Sequence, residues 1–306
     1  MNILKTIKAV AEETRLRLTH LLIHYEFNVN EIASVMEMGQ PRISRHLKIL
    51  TESGLLTSRR DGSFVYYQTI RDDKTRYLLD FINQTNSQPQ FTRDLDRAQT
   101  VLKERKNRTR QFFNAVAEEW DHLKQDVFGN FDFGAVISGR LTFCETAVDL
   151  GCGTGELMAA LRKKAGLIIG VDSSARMLEL ARQRLSPEDE TFNLRLGEME
   201  HLPLKDRETD AAVINMVLHY LPLPESGIRE AARVLKPNGQ LIVTELDKHH
   251  QESIRKTFGG PWLGFEADEI GRWLGEAGFR ITETEQFSVN YGLTINLFVA
   301  QKKEQP

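Results

Sequence analysis

The sequence predicts an α/β protein whose main body is a mostly parallel sheet covered by helices, preceded by a small helical domain with a hairpin. Three observations predict it. Strand-like and helix-like runs alternate over residues 147–303, the pattern of parallel strands joined by crossover helices. The first of these strands runs into Gly151, Gly153 and Gly155 and then into a helix-patterned segment, so the chain turns where a ligand can approach the backbone closely. Upstream, residues 28–67 carry two short helices, a glycine turn and a hairpin. At 306 residues and about 150 per domain, the chain has room for two domains. We expect them at 1–86 and 147–306, with a connector and helical lid over 87–146.

Composition narrows the classes. Charged residues at 27% and hydrophobic residues at 41% describe a globular protein with ample core. The net charge of −3 gives no global attraction to nucleic acid, but the ends differ. Residues 1–86 hold 12 Lys/Arg and 10 Asp/Glu, and the remainder 28 and 33. Two cysteines, Cys144 and Cys152, argue against a disulfide scaffold and fit a reducing cytoplasm. Lys5, Lys8, Glu12 and Glu13 interrupt every apolar run at the N-terminus, so no signal peptide is expected. The most apolar stretch, residues 211–221, contains Asn215 and His219 and is too short to span a bilayer, so no membrane partner is expected.

In the first domain, residues 2–25 have helical periodicity through Ile3, Ile7, Val10, Leu18, Leu21 and Leu22. Asn28 followed by Glu31 forms a capping box at the start of a helix running to Met36. Gly39 and Pro41 mark a turn and the entry of a second helix over 42–51, which ends at a left-handed cap near Gly54. That second helix carries Gln40, Arg42, Ser44, Arg45, His46 and Lys48 without an acid, and Ile43, Leu47 and Leu50 give it a buried stripe. One face packs; the other offers donors to base edges and phosphates. A hairpin follows, turning at Asp61-Gly62, with Arg59 and Arg60 expected at its tip against the DNA backbone. A dimerisation module with a solvated basic face is the rival reading. The basic helix followed by an arginine-tipped hairpin favours a double-stranded DNA operator.

This segment resembles the winged helix-turn-helix repressors of the arsenic-repressor (ArsR) type across nearly all of residues 4–70. The match runs through residues 13–18, Gln40-Pro41, residues 44–48 and Tyr66-Tyr67. The resemblance implies a homodimer formed by the first helix and a helix around 73–86. One departure matters. Where many members hold metal-sensing cysteines, this chain has Asn28 and Asn30, and its last helix carries Asp72, Asp73 and Asp80 without a histidine. No metal is therefore expected, and the signal must come from the second domain.

The second domain supplies a candidate ligand. Asp149 ends the first strand, and a second strand over 167–171 ends in Asp172, seventeen residues past Gly155. An acid there can accept from a ribose diol. A dinucleotide loop would place its last glycine at position 156, which is Glu156. Carboxylates on both sides of the loop repel a pyrophosphate and suit a ligand with an ammonium and a sulfonium, which S-adenosylmethionine (SAM) carries. With the downstream blocks in order, residues 110–303 resemble class I SAM-dependent methyltransferases, which have a Rossmann-like, mostly parallel seven-stranded sheet with one antiparallel strand near its end. The resemblance implies that Gly151, Gly153, Gly155, Asp149, Asp172 and Ser173 bind SAM or its demethylated product S-adenosylhomocysteine (SAH). It implies adenine contacts at Glu198 and the backbone of Met199, and a contact of Asn215 with the methionine end.

Two readings remain open on the residues alone. Residues 84–90 read as a polar linker and 93–110 as a solvated, charged helix face. In the aromatic segment 112–121, Phe113 and Trp120 either cover the sulfonium or serve as core. His219 and Tyr220 either orient an acceptor or pack; His249 and Trp262 receive no role, and no catalytic residue is assigned. Methyl transfer requires alignment more than acid–base help. Arsenite methylation is not expected, because it needs several thiols. The fusion as a whole reads as a transcriptional repressor with SAM or SAH as effector, the alternative being an active methyltransferase on a small molecule.

Overall fold

The structure is a computed structural model that describes residues 3–70, 72–84, 88–186 and 189–304. It divides into two compact units, residues 1–105 and 106–306. Among the described residues, no helix is long and apolar enough to cross a membrane.

In the first unit, the helical run expected over 2–25 is two helices, α1 (Ile3–Val10) and α2 (Glu13–His24). The break has a local cause: Glu12 is extended, and its carboxylate accepts from the Thr14 and Arg15 amides as the N-cap of α2. A two-residue strand β1 (Phe27–Asn28) leads into α3 (Val29–Met36). The capping box forms: Asn28 accepts from Glu31 N at 3.1 Å, and Glu31 accepts from Asn28 N at 3.0 Å. Helix α4 (Gln40–Glu52) starts at Gly39 and buries Ile43, Leu47 and Leu50, and the turn after it passes through Gly54 at φ 79°. Strands β2 (Leu56–Asp61) and β3 (Phe64–Thr69) pair antiparallel, and β1 adds to β3 as a third strand. Helix α5 (Arg76–Gln84) follows.

Helix α6 (Pro89–Val116) takes in the last two residues of the expected linker and all of the charged helix face expected over 93–110; residues 85–87 of that linker lie outside the described residues. Its first-unit part buries Phe91, Asp94, Ala98, Val101, Leu102 and Arg105, a helical stripe containing two charges. Both charges are paired. Asp94 accepts from Arg17 at 2.7 and 2.8 Å. Arg105 donates to both oxygens of Glu31 and lies over the rings of Phe27 and Tyr66. Such paired charges belong in a core only as complete sets.

The second unit begins within α6 at Lys106 and continues with α7 (Trp120–Phe128) and α8 (Phe133–Arg140). Then come β4 (Cys144–Leu150), α9 (Glu156–Leu161), β5 (Ala165–Asp172), α10 (Ala175–Arg184), β6 (Phe192–Leu196) and β7 (Thr209–Asn215). The unit ends with α11 (Pro224–Val234), β8 (Leu235–Leu246), α12 (Glu252–Phe258), α13 (Ala267–Glu276), β9 (Phe279–Ser288) and β10 (Thr294–Lys302). The sheet has seven strands in the order β6-β5-β4-β7-β8-β10-β9. β10 runs antiparallel to both neighbours, and the pairs from β6 to β8 are parallel. The order reverses at β4, whose neighbours are β5 and β7, so the crevice beyond its carboxyl end is the expected ligand site. The expected strands and helices of this unit all form; several strands run longer, by up to five residues in β8, because half-buried strand ends carry little apolar signal, and α9 is shorter than the 155–164 expected.

The capping box gives a stability test of the first unit. Asn28→Ala removes the acceptor for the Asn30 and Glu31 amides and is expected to cost about 1–2 kcal/mol. Urea unfolding of the full chain followed by circular dichroism measures it.

Candidate cofactor site and nucleic-acid face

The site is built where β4 and β5 end side by side. Gly151, Gly153 and Gly155 all have left-handed φ, 81°, 52° and 77°, a region that side chains other than glycine enter at a cost. Space adds a second constraint at Gly151, where a Cβ would lie 2.5 Å from Val217 Cγ2. The turn aims amides into the sheet end. Gly151 N and Cys152 N donate to Val171 O at 2.7 and 3.0 Å. Gly153 N donates to Asp172 Oδ2 at 2.9 Å, and Ser174 N to Asp172 Oδ1 at 2.8 Å. Asp172 is thus oriented by the backbone, and each oxygen keeps lone-pair capacity for a diol.

Asp149 is different. It is 1% exposed, and its Oδ2 has no hydrogen-bond partner among the described residues. Burial, and then the neighbouring Asp172 carboxylate, push its pKa up to about 7. Burial also raises Asp172, against the lowering effect of its backbone donors. Glu156, expected to add charge beside the loop, is exposed and paired with Lys124. Beside the loop, Asp149 and Asp172 therefore remain as the carboxylates without a salt bridge among the described residues.

A cavity of about 790 Å³ opens at these carboxylates, within the size range of small-molecule sites. Asp149, Asp172, Ser173, Glu198, Met199 and Asn215 all line it, as do Gly151 and Gly153. Gly155 instead packs against α10, where a Cβ would be 3.1 Å from Ala181 and Leu185. Glu198 accepts from Lys106 at 3.1 Å. Asn215 Oδ1 accepts from Thr244 Oγ1 at 2.6 Å, and the next residue, Met216, is held at φ 59°, a strained conformation of the kind that gathers at functional sites.

The opposite wall is aromatic. Phe113 lies 5.2 Å from Trp120 and 4.6 Å from Tyr220, and Trp120 lies 5.5 Å from Phe258, centroid to centroid. All four line the cavity. Two polar clasps hold this wall to the glycine loop and α10: Thr154 donates to Asp121 at 2.9 Å, and Ser174 donates to Asn114 at 2.7 Å. Behind Tyr220, buried His219 has its Nδ1 2.6 Å from Glu245 Oε1, and its backbone N–H donates to Glu245 Oε2 at 3.1 Å. The sequence carried no signal for Glu245 or Lys106, whose partners are distant in the chain. Trp262 donates through Nε1 to Leu221 O and is core. Burial pushes Cys144 up to about 11 and Cys152 well above the ordinary thiol range, so neither offers a thiolate.

In the first unit, Gln40, Arg42, Ser44, Arg45 and Lys48 share exposed positions of α4, and Gln40 donates to Asn30 at 2.7 Å. His46 instead turns toward Glu12, 3.6 Å away, and burial holds its imidazole below the usual range. Arg59 and Arg60 separate, because successive strand residues point to opposite faces. Arg60 is exposed beside the turn, donating to Gly62 O. Arg59 donates to both oxygens of Glu26 at 2.6 and 3.0 Å and lies over Tyr66. Its guanidinium is committed to the hairpin's own packing.

Comparison with known proteins follows these two halves. Residues 148–243 match the family model for a methyltransferase domain, and residues 12–58 that of bacterial regulatory proteins of the arsR family. A demethylmenaquinone methyltransferase of Desulfitobacterium hafniense is 31% identical over 177 residues, covering 54% of this chain and 69% of that protein. The chain belongs to the methyltransferase family. It carries an arsR-family helix-turn-helix ahead of the methyltransferase domain. A second relative, from Lactiplantibacillus plantarum and also named demethylmenaquinone methyltransferase, is 38% identical over 113 residues, covering 35% of this chain and 48% of that one. An uncharacterised transposon protein of Streptomyces fradiae is 40% identical over 106 residues, covering 34% of this chain and 30% of its own. The chain thus spans from under a third to about two thirds of these relatives' lengths. Among solved structures, a [4+2]-cyclase superposes with a TM-score of 0.54 at 20% identity, covering 64% of this chain and 95% of that one, which shows the shared fold.

The fold implies SAM or SAH as ligand, and the residues present fit one. Asp172 offers oriented acceptors to a diol, and the unpartnered Asp149 oxygen offers a buried anion to an ammonium. Among the described residues, no group of three or more His, Cys, Asp or Glu could hold a metal ion.

The raised pKa of Asp149, about 7, sets a pH dependence. Ionised Asp149 attracts an ammonium and protonated Asp149 does not, so SAH affinity should rise between pH 6 and pH 8. A bound cation favours the carboxylate, so binding near pH 7 should release protons. Calorimetry in buffers of different ionisation heat measures the release, and Asp149→Asn should abolish it.

Proposed function

We propose that the protein is a dimeric, cytoplasmic transcriptional repressor that reads double-stranded DNA through Arg42, Ser44, Arg45, Lys48 and Arg60, and whose effector is SAM or SAH. The single observation that carries the reading is the buried, unpartnered carboxylate oxygen of Asp149 at a cavity joined in one chain to an arsR-family helix-turn-helix. A buried anion is costly unless a cation arrives, which supports a ligand that both SAM and SAH provide. Dimerisation is supported by exposed apolar side chains on the two helices expected at the interface. Leu4 and Ile7 of α1 are 65% and 48% exposed, and Tyr77 and Phe81 of α5 are 83% and 65% exposed. Coupling of about 1–3 kcal/mol would change operator affinity ~5–150-fold. The test is operator binding by the purified chain with and without saturating SAM or SAH. A change of at least fivefold with one ligand supports the reading; a change below twofold with both overturns it.

A second reading, methyl transfer to a small molecule, is favoured by the His219–Glu245 pair. Glu245 accepting from Nδ1–H leaves the Nε2 lone pair of His219 as a base, and His219 lines the cavity together with Tyr220. A hydroxyl acceptor would lose its proton to Nε2 while its oxygen takes the methyl group. The carbon–sulfur bond breaks, its electron pair stays on sulfur, and SAM becomes SAH. Under this reading, extract incubated with methyl-labelled SAM yields a labelled product, and His219→Asn lowers turnover by about 10²–10⁴. Labelling that is absent, or unaffected by the substitution, removes the role of His219.

A further inference from the structure

The boundary between the two units falls between Arg105 and Lys106, consecutive residues of α6. Each is anchored in its own unit. Arg105, 5% exposed, donates to both oxygens of Glu31. Glu31 is the residue that closes the capping box of α3, the first helix of the helix-turn-helix. Lys106 lies 3.1 Å from Glu198 and 3.2 Å from Glu200. Lys106, Glu198 and Glu200 all line the cavity. Glu198 is also the carboxylate expected to accept from the adenine amino group, so a bound nucleoside and Lys106 would share one carboxylate.

We propose that Lys106 is the coupling residue of the effector response: adenine engages its Glu198 carboxylate, and the resulting shift passes along the α6 backbone to Arg105 and its hold on Glu31. The inference rests on the sensor reading above and adds the route by which that site is regulated. An ammonium whose first carboxylate is engaged by a ligand keeps Glu200 as its partner and shifts toward it. Its neighbour Arg105 holds the carboxylate that caps α3, so a backbone shift there changes the entry of the helix preceding the DNA-reading helix α4. The state of a helix cap is worth enough to bias a two-state element.

The test is a binding cycle on the full chain: operator affinity without ligand and with SAH at ten times the dissociation constant measured for each variant. Working at saturation separates coupling from ligand affinity. Lys106→Met should reduce the SAH-induced change in operator affinity from at least fivefold to below twofold. Lys103→Met, which removes a like charge from an exposed position of the same helix, should retain the wild-type change. Hydrogen exchange of the peptide over residues 28–36 should respond to SAH in the wild type and in Lys103→Met but not in Lys106→Met. A Lys106→Met chain that stays as responsive as the wild type overturns the route and leaves the sensor reading standing. So does equal loss in both variants. A wild-type chain whose operator affinity ignores both SAM and SAH overturns the sensor reading, and the route with it.

Discussion

Two carboxylates forced together in a water-poor crevice govern the second unit. Parallel pairing of β4 and β5 brings Asp149 and Asp172 to neighbouring strand ends, and one amide of the left-handed glycine turn with one at the start of α10 makes Asp172 tolerable. Asp172 takes backbone N–H groups on both oxygens; Asp149 has no such compensation at Oδ2. The nearby cations are spent elsewhere: Lys124 on Asp121 and Glu156, Arg184 on Asp121, and Lys106 on Glu198 and Glu200. What remains is a buried carboxyl group pushed toward its neutral form, whose ionised state a cationic ligand favours and a diphosphate disfavours.

The parts legible in the sequence are those set by near neighbours. The capping box at Asn28 and Glu31, the stripe of Ile43, Leu47 and Leu50, and the spacing of Gly151, Gly153 and Gly155 each have their cause within a few residues. Long-range pairing was not legible. Helix α6 reads as solvated because Asp94 and Arg105 interrupt its stripe, yet both are buried by partners 77 and 74 residues away. Arg59 and His46 looked available to DNA on residue type alone. Strand alternation sends one arginine of the pair inward to Glu26, and the N-cap of α2 puts a carboxylate beside the histidine. The Glu245 partner of His219 lies 26 residues downstream, on the next strand of the sheet. Nothing local announces it.

The two functional readings do not compete for the same atoms. SAM and SAH share the ammonium, the diol and the adenine, so the roles proposed for Asp149, Asp172 and Glu198 would serve a sensor and a transferase equally. The ligands differ at sulfur, by one methyl group and one charge, and an acceptor would have to meet that methyl. The aromatic wall of Phe113, Trp120, Tyr220 and Phe258 therefore separates the readings: it encloses the ligand for a sensor and must admit a second molecule for a transferase.

For a sensor there is a stricter requirement. A ligand that binds equally to the DNA-competent and DNA-incompetent states shifts neither, however tightly it is held. The buried carboxylates would give affinity without direction, because they sit on paired strands of the central sheet. Direction must come from a contact that can exist in two arrangements. Among the residues lining the cavity, Lys106 meets that condition. It has a long, flexible stem and two carboxylate partners, one of them expected to face the ligand, and it sits next in the chain to the arginine that closes the cap of α3.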